Sequence, residues 1–211
     1  VQALMFESAN VLWVGTTQGL CRLDIESGTV TRILLPGIQD CIIRALFRDS
    51  AGTVWVGSEN GLFRRDAGSD TFTVYRHNPA GPNTLGDNIV MSFFEDDDGT
   101  FLVGTSYGLD IMDRAKGGFS HFRSDLIDMR SISDNWIKTI YCDRTGILWF
   151  GTNGGANKLD PRKSSFNHYM HHPINTNSLS NNYIRYIAGD RDGYVWIATD
   201  SGGLNRFSPG E

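Results

Sequence analysis

"GILWFGTNGG" occupies residues 146–155. A glycine opens it, four apolar residues follow, and a polar turn with two glycines closes it. "GTVWVGSENG" at 52–61 and "GYVWIATDSG" at 193–202 repeat the phrase. A short, nearly continuous apolar run between turn residues reads as a strand covered on both faces. Its recurrence reads as a structural repeat.

Taking the tryptophan as anchor extends the repeat along the chain. Trp13, Trp55, Trp149 and Trp196 hold the slot, and Leu102 holds it in "GTFLVGT". The steps are 42, 47, 47 and 47 residues. Two positions on come Gly15, Gly57, Gly104, Gly151 and Ala198, on the same strand face as the anchor. A small residue there lets a neighbouring sheet approach closely. Next come "GLCRLD", "GLFRRD", "GLDIMD", "GANKLD" and "GLNRFS", then the aromatic pairs Phe72 and Tyr75, Phe119 and Phe122, Phe166 and Tyr169. A polar loop leads to "LGDNIV", "ISDNWI" or "LSNNYI", the start of the next unit. Each unit thus reads as four short strands, the first ending at an Asp-x-x-Gly turn ("DSAG", "DDDG", "DRTG", "DRDG") in which Gly supplies positive φ. No segment sustains a 3.6-residue apolar period, so the chain reads as all-β.

Four strands in about 45 residues, repeated, are the signature of a β-propeller. One blade cannot bury both faces alone, and stacking blades covers them. The spacing predicts blades at about 1–42, 43–89, 90–136, 137–183 and 184–211, the last incomplete. We therefore expect the chain to be part of a longer propeller. Unpaired apolar blade faces would favour self-association.

Bulk properties narrow the function. With 40% hydrophobic and 20% charged residues, the composition is that of a soluble globular chain. A formal net charge of −5 argues against a nucleic-acid or membrane-surface partner. No stretch approaches the ~18 apolar residues of a membrane-spanning helix. "VQALMFESAN" lacks the pattern of a secretory signal, as a processed or trimmed chain also would. Cys21, Cys41 and Cys142 show neither a disulfide framework nor zinc spacing.

The series Asn135, Ile137, Ile140, Asp143, Gly146, Leu148, Trp149, Gly151, Thr152, Gly155, Leu159, Asp160, Phe166, Tyr169 resembles the two-component regulator propeller repeat. The linker "HPINTNSLSNNYI" at 172–184 is similar to that family's connection between blades, and the resemblance covers essentially the whole chain. It implies a periplasmic sensor propeller of a membrane-anchored signalling protein, followed elsewhere in that protein by a histidine kinase or diguanylate cyclase. Family members commonly have seven blades, whereas five units are present here. The resemblance implies a non-catalytic segment that senses a small molecule or oligosaccharide and signals through dimer rearrangement. Two alternatives stay open: a lyase related to streptogramin lyases, which are propellers with a His-plus-metal site, and a protein-interaction scaffold.

In propellers, ligands sit where the loops between blades and the loops between second and third strands meet. The first set ends in Asn88, Asn135 and Asn182, with Cys41 in the same slot. A recurring Asn reads as a turn or a side-chain-to-backbone bond. The residues beside it vary: Ile42, Ile89, Trp136 and Tyr183. Trp136 and Tyr183 are suited to stacking a sugar ring. The second set varies at Gln18, Glu59, Asn60, Tyr107, Asn153, Asp200 and Ser201. These are either solvated turns or a polar, mildly acidic rim for a neutral or cationic ligand. His168, His171 and His172 lie close together but lack a carboxylate or Cys at ligand spacing, so no metal is expected. "EDDDGT" at 95–100 fails the EF-hand pattern and reads as an acidic Asp-x-x-Gly turn. No catalytic constellation and no cofactor site emerges.

Overall fold

The computed structural model describes residues 1–128, 130–161 and 165–208. Among them there is no helix; nineteen strands form five antiparallel sheets. The first sheet is β1 (Ala3–Ser8), β2 (Val11–Thr16), β3 (Gly19–Asp24) and β4 (Val30–Ile33). The second is β5 (Ile43–Arg48), β6 (Val54–Ser58), β7 (Gly61–Arg65) and β8 (Thr73–Tyr75). The third is β9 (Val90–Glu95), β10 (Phe101–Thr105), β11 (Gly108–Asp113) and β12 (Gly118–Phe122). The fourth is β13 (Thr139–Cys142), β14 (Leu148–Gly151), β15 (Ala156–Asp160) and β16 (Ser165–Tyr169). The fifth has three described strands, β17 (Ile184–Gly189), β18 (Val195–Thr199) and β19 (Leu204–Phe207); residues 209–211 of its repeat lie outside the described residues. Strands follow chain order in every sheet, the arrangement of propeller blades.

The chain divides into two compact units: Val1–Val103 with Asp110–Ser120, and Gly104–Leu109 with the described residues from His121 onward. In the first unit, Trp13, Leu20, Ile43, Val54, Val56 and Phe63 form one core between the first two sheets. A second core gathers Trp55, Leu62, Val90, Phe101, Met112 and Phe119. In the second unit, Trp149, Ala156, Leu179, Ile184, Ile187 and Ile197 fill the space between the fourth and fifth sheets. As expected of strands covered on both faces, β6 and β10 are buried at every residue.

The repeat dictates how each sheet starts and how it meets the next. At the Asp-x-x-Gly turns, Gly52, Gly99, Gly146 and Gly193 donate their N–H to the carbonyls of Asp49, Asp96, Asp143 and Asp190. Gly146 has a φ of 80°, a conformation L side chains rarely adopt. "EDDDGT" is one of these turns: Asp96 accepts the N–H of Thr100 at 2.7 Å. The aspartate has a second role that extends to the anchor. The indole N–H of Trp55 donates to Asp49 at 2.8 Å, that of Trp149 to Asp143 at 3.0 Å, and that of Trp196 to Asp190 at 2.7 Å. In the first sheet, which lacks the Asp-x-x-Gly turn, Glu7 takes over and accepts from Trp13 at 3.1 Å. Each tryptophan thus satisfies its one donor, with the rings of Trp13, Trp55 and Trp149 buried and that of Trp196 half-buried. The glycine two positions on serves close approach: a Cβ on Gly151 would lie 2.6 Å from Ile184 Cγ2, and one on Gly15 would lie 2.7 Å from Ile43 Cγ2. In the third sheet Leu102 takes the anchor slot. Arg114 lies over Phe101, 4.7 Å from its centroid, and donates to Glu95 at 2.8 Å.

Candidate functional site

The loops after the second strand of a sheet are fastened by backbone bonds to the segments that lead into first strands. In the second unit Gly108 donates to the Asn135 carbonyl at 2.7 Å, Ile137 to Thr105 at 2.9 Å, Ile184 to Thr152 at 3.0 Å, and Asp200 to Tyr183 at 2.9 Å. In the first unit Gly61 donates to Asn88 at 2.8 Å and Glu59 to Ile42 at 3.1 Å. Each loop is also closed on itself: the hydroxyls of Ser58, Thr105, Thr152 and Thr199 donate to the carbonyl of the glycine that starts or immediately precedes the third strand. The two loop sets therefore meet within each unit, and the varying residues sit on fixed backbone.

The recurring asparagines are structural, as their repetition suggests. Asn88 accepts the N–H of His77 at 2.9 Å, Asn135 that of Ser124 at 2.7 Å, and Asn182 that of His171 at 2.6 Å. Each ties the exit of a fourth strand to the next lead-in segment. The neighbouring histidines are structural too. His77 Nδ1 pairs with the Leu85 carbonyl at 2.8 Å, His171 Nδ1 with Leu179 at 2.7 Å, and His168 Nε2 with Ser131 at 2.7 Å. Those nitrogens are occupied by backbone.

The aromatic candidates gather in the second unit. Tyr107 and Tyr183 are each 51% exposed and Trp136 is 36% exposed, which is unusual for side chains of this size in so apolar a repeat. Arg123 lies over the Tyr107 ring, 4.4 Å from its centroid, and its Nε donates to the Tyr107 carbonyl at 3.1 Å. The loop carrying Tyr107 is bonded to Asn135, the neighbour of Trp136. Lys138 Nζ lies 4.8 Å from the centroid of Tyr183. Burial, and next the Arg185 guanidinium, push the Lys138 ammonium below the ordinary lysine value of 10.5, while Asp200 and Asp134 act the other way. The amide oxygen of Asn153 is buried without a donor.

The acidic candidates do not form an acidic rim. Asp200 accepts Arg185 Nε at 2.6 Å, and in the first unit Glu59 is held by Arg44. Each carboxylate is thus paired with a cation of its own sheet. Asn60, also in the first unit, uses its carbonyl to accept Arg76 Nε at 3.2 Å and its N–H to bond Ser58 at 2.9 Å. Asn153, Tyr183 and Asp200 thus lie on the loops of the fourth and fifth sheets, in the same unit as Lys138 and Arg185, while Glu59 and Asn60 belong to the first unit. The three cations Arg44, Lys138 and Arg185 escape a reading of the loops alone, because they stand at the start of the first strand or, for Lys138, just before it. Comparing the two columns together, Arg44 with Glu59 and Arg185 with Asp200, would have revealed them. A second column was also missed: Asp110 accepts Gly86 N–H at 2.6 Å, Asn157 accepts Ser133 at 2.8 Å and Asn205 accepts Ser180 at 2.9 Å, clamping the inter-sheet loops.

Residues 37–60, 131–154 and 178–201 match the family described as two component regulator propeller. These three segments carry two-component regulator propeller repeats. The three matched segments contain the Asp-x-x-Gly turn together with its tryptophan. The first sheet lacks the turn and the third lacks the tryptophan, and neither is matched. Among solved structures, the extracellular domain of the hybrid two component system BT3049 from B. thetaiotaomicron is 22% identical over 100% of this chain, with a TM-score of 0.81. That of BT4673 from the same organism is 23% identical over 97% of the chain, with a TM-score of 0.80. This chain spans 28% and 26% of those two structures. A virginiamycin B lyase from Staphylococcus aureus is 14% identical over 100% of the chain and 70% of its own, with a TM-score of 0.68. At these identities the likeness is one of fold. No curated protein matches the sequence.

Proposed function

We propose that this chain is the ligand-sensing, non-catalytic segment of an extracytoplasmic two-component regulator, and that its ligand is a glycan or glycan fragment held on the loop face of the second unit. The observation that carries this reading is the exposure of Tyr107, Trp136 and Tyr183 on backbone-fastened loops of one unit, the Tyr107 loop bonded to the Trp136 segment and the Tyr183 segment to the loops of Thr152 and Asp200. Exposed aromatic rings on fixed backbone suit the apolar face of a sugar, with little ordering cost on binding. The repeat family and the extracellular, two-component character of the similar structures support the placement outside the cytoplasm. Calorimetric titration of the chain with a panel of oligosaccharides tests the reading. Trp136→Ala and Tyr183→Ala are expected to weaken binding about tenfold or more, on the scale of a lost aromatic contact. Unchanged affinity in both variants rejects this site, and a panel without binders rejects the glycan reading.

The likeness to virginiamycin B lyase, whose structure was solved with quinupristin, favours one competing reading, a lyase. Incubation with quinupristin, followed by mass spectrometry, distinguishes the two; a cleaved product would overturn the non-catalytic assignment.

A further inference from the structure

In three sheets a cation follows the first buried residue of the lead strand: Arg44 after Ile43, Lys138 after Ile137, and Arg185 after Ile184. In two of these sheets the first variable position of the facing loop is a carboxylate that grips the cation, Glu59 for Arg44 and Asp200 for Arg185. In the fourth sheet that position is Asn153. Thr139 pairs with Gly151, and the Lys138 N–H donates to the Gly151 carbonyl at 2.9 Å, two residues before Asn153 in the chain. Lys138 has no ion-pair partner among the described residues; its contact is with the Tyr183 ring. The fourth sheet thus keeps the cation and has exchanged its carboxylate for a neutral amide, whose oxygen is buried without a donor.

We propose that Lys138 is the docking point for a carboxylate carried by the ligand, so that the sensed molecule is an acidic sugar. This rests on the reading of the loop face as a glycan site and names the class of glycan. The sister sheets supply the choice of group: the corresponding position there is built around a carboxylate, not a larger tetrahedral anion. Arg185, already paired with Asp200, adds positive potential and does not compete for the ligand. The Tyr183 ring beside Lys138 offers a stacking face next to the charged group. A charge-assisted hydrogen bond shielded from bulk water contributes about tenfold to hundredfold in affinity.

The test measures binding of oligouronides, sulfated oligosaccharides and neutral oligosaccharides of equal length to the wild-type chain, Lys138→Met and Asn153→Asp, with thermal melts of each. The expected result is that uronides bind best and that both variants weaken them about tenfold or more. Asn153→Asp acts by restoring the internal carboxylate of the sister sheets, so it melts no lower than wild type and keeps the test valid if Lys138→Met unfolds. Preference for neutral or sulfated saccharides, or uronide affinity unchanged in Asn153→Asp, overturns this inference and leaves the glycan-sensing reading standing. Failure of all three classes to bind overturns both.

Discussion

The turn end and the loop end of these sheets come from one repeat yet tolerate change differently. At the turn end, Trp55, Trp149 and Trp196 each donate to the aspartate of their own turn, and Trp13 finds Glu7 in the same role. At the loop end the corresponding pairs diverge: Arg44 with Glu59, Arg185 with Asp200, but Lys138 with Asn153. Burial explains the contrast. An indole N–H or carboxylate stranded in a core costs the full desolvation of that group, so neither partner changes alone. Near solvent a lost partner is replaced by water or by a ligand, and one member of the pair is free to vary.

The sharpest way to break this comparison is to remove a tryptophan. Trp149 is 2% exposed, and Trp149→Ala is expected to cost about 3–5 kcal/mol in denaturant unfolding. A loss under about 1 kcal/mol would place the tryptophan outside the core. A smaller effect follows from acid. The Trp196 indole first, then the backbone N–H groups of its turn, hold the Asp190 carboxyl below its ordinary 3.8. At Asp143 burial works against the charge, and hydrogen bonds from Thr145, Trp149 and Ile147 outweigh it, so this carboxyl also lies below 3.8. A carboxyl with a folded value below its unfolded one contributes stability that is present above the ordinary value and lost as pH falls through the folded one. The melting temperature should therefore hold from pH 7 to about 5 and fall in the window below ~4, and Asp143→Asn should flatten that fall. A flat wild-type profile to pH 3 would remove these carboxylates from the stability of the fold. The smallest effects belong to the loop end. Tyr183→Ala should shift stability by no more than about 0.5 kcal/mol, and Asn153→Asp should raise it by about 0–1 kcal/mol, read as melting temperatures. A large loss from either would mean that the loops hold the sheets together and are not free to specialise.

Most of the fold was legible because its determinants lie close together in the chain. The apolar strand, the Asp-x-x-Gly turn and the small residue after Trp149 are all within about ten residues, and repetition shows them several times. The bond from Asp143 to the Trp149 indole was not read, although both residues were, because a hydrogen bond across a turn leaves no trace in periodicity. The aromatic candidates were found by their variation against a constant background. The pairing of Glu59 and Asp200 was not legible in the loops, because Arg44 and Arg185 stand fifteen positions away in the chain.

The sequence by itself determined the repeat, the all-β class and the propeller blade, since alternation, turn chemistry and burial of a two-faced sheet are local or periodic demands. Tertiary structure decided which charges survive on the loop face. Strand pairing carries Arg44 to Glu59 and Arg185 to Asp200 and pairs their charges, while in the fourth sheet Asn153 stands in the place of the carboxylate and Lys138 has no ion pair among the described residues. Electrostatic complementarity depends on distance through space, and only the folded register fixes that distance.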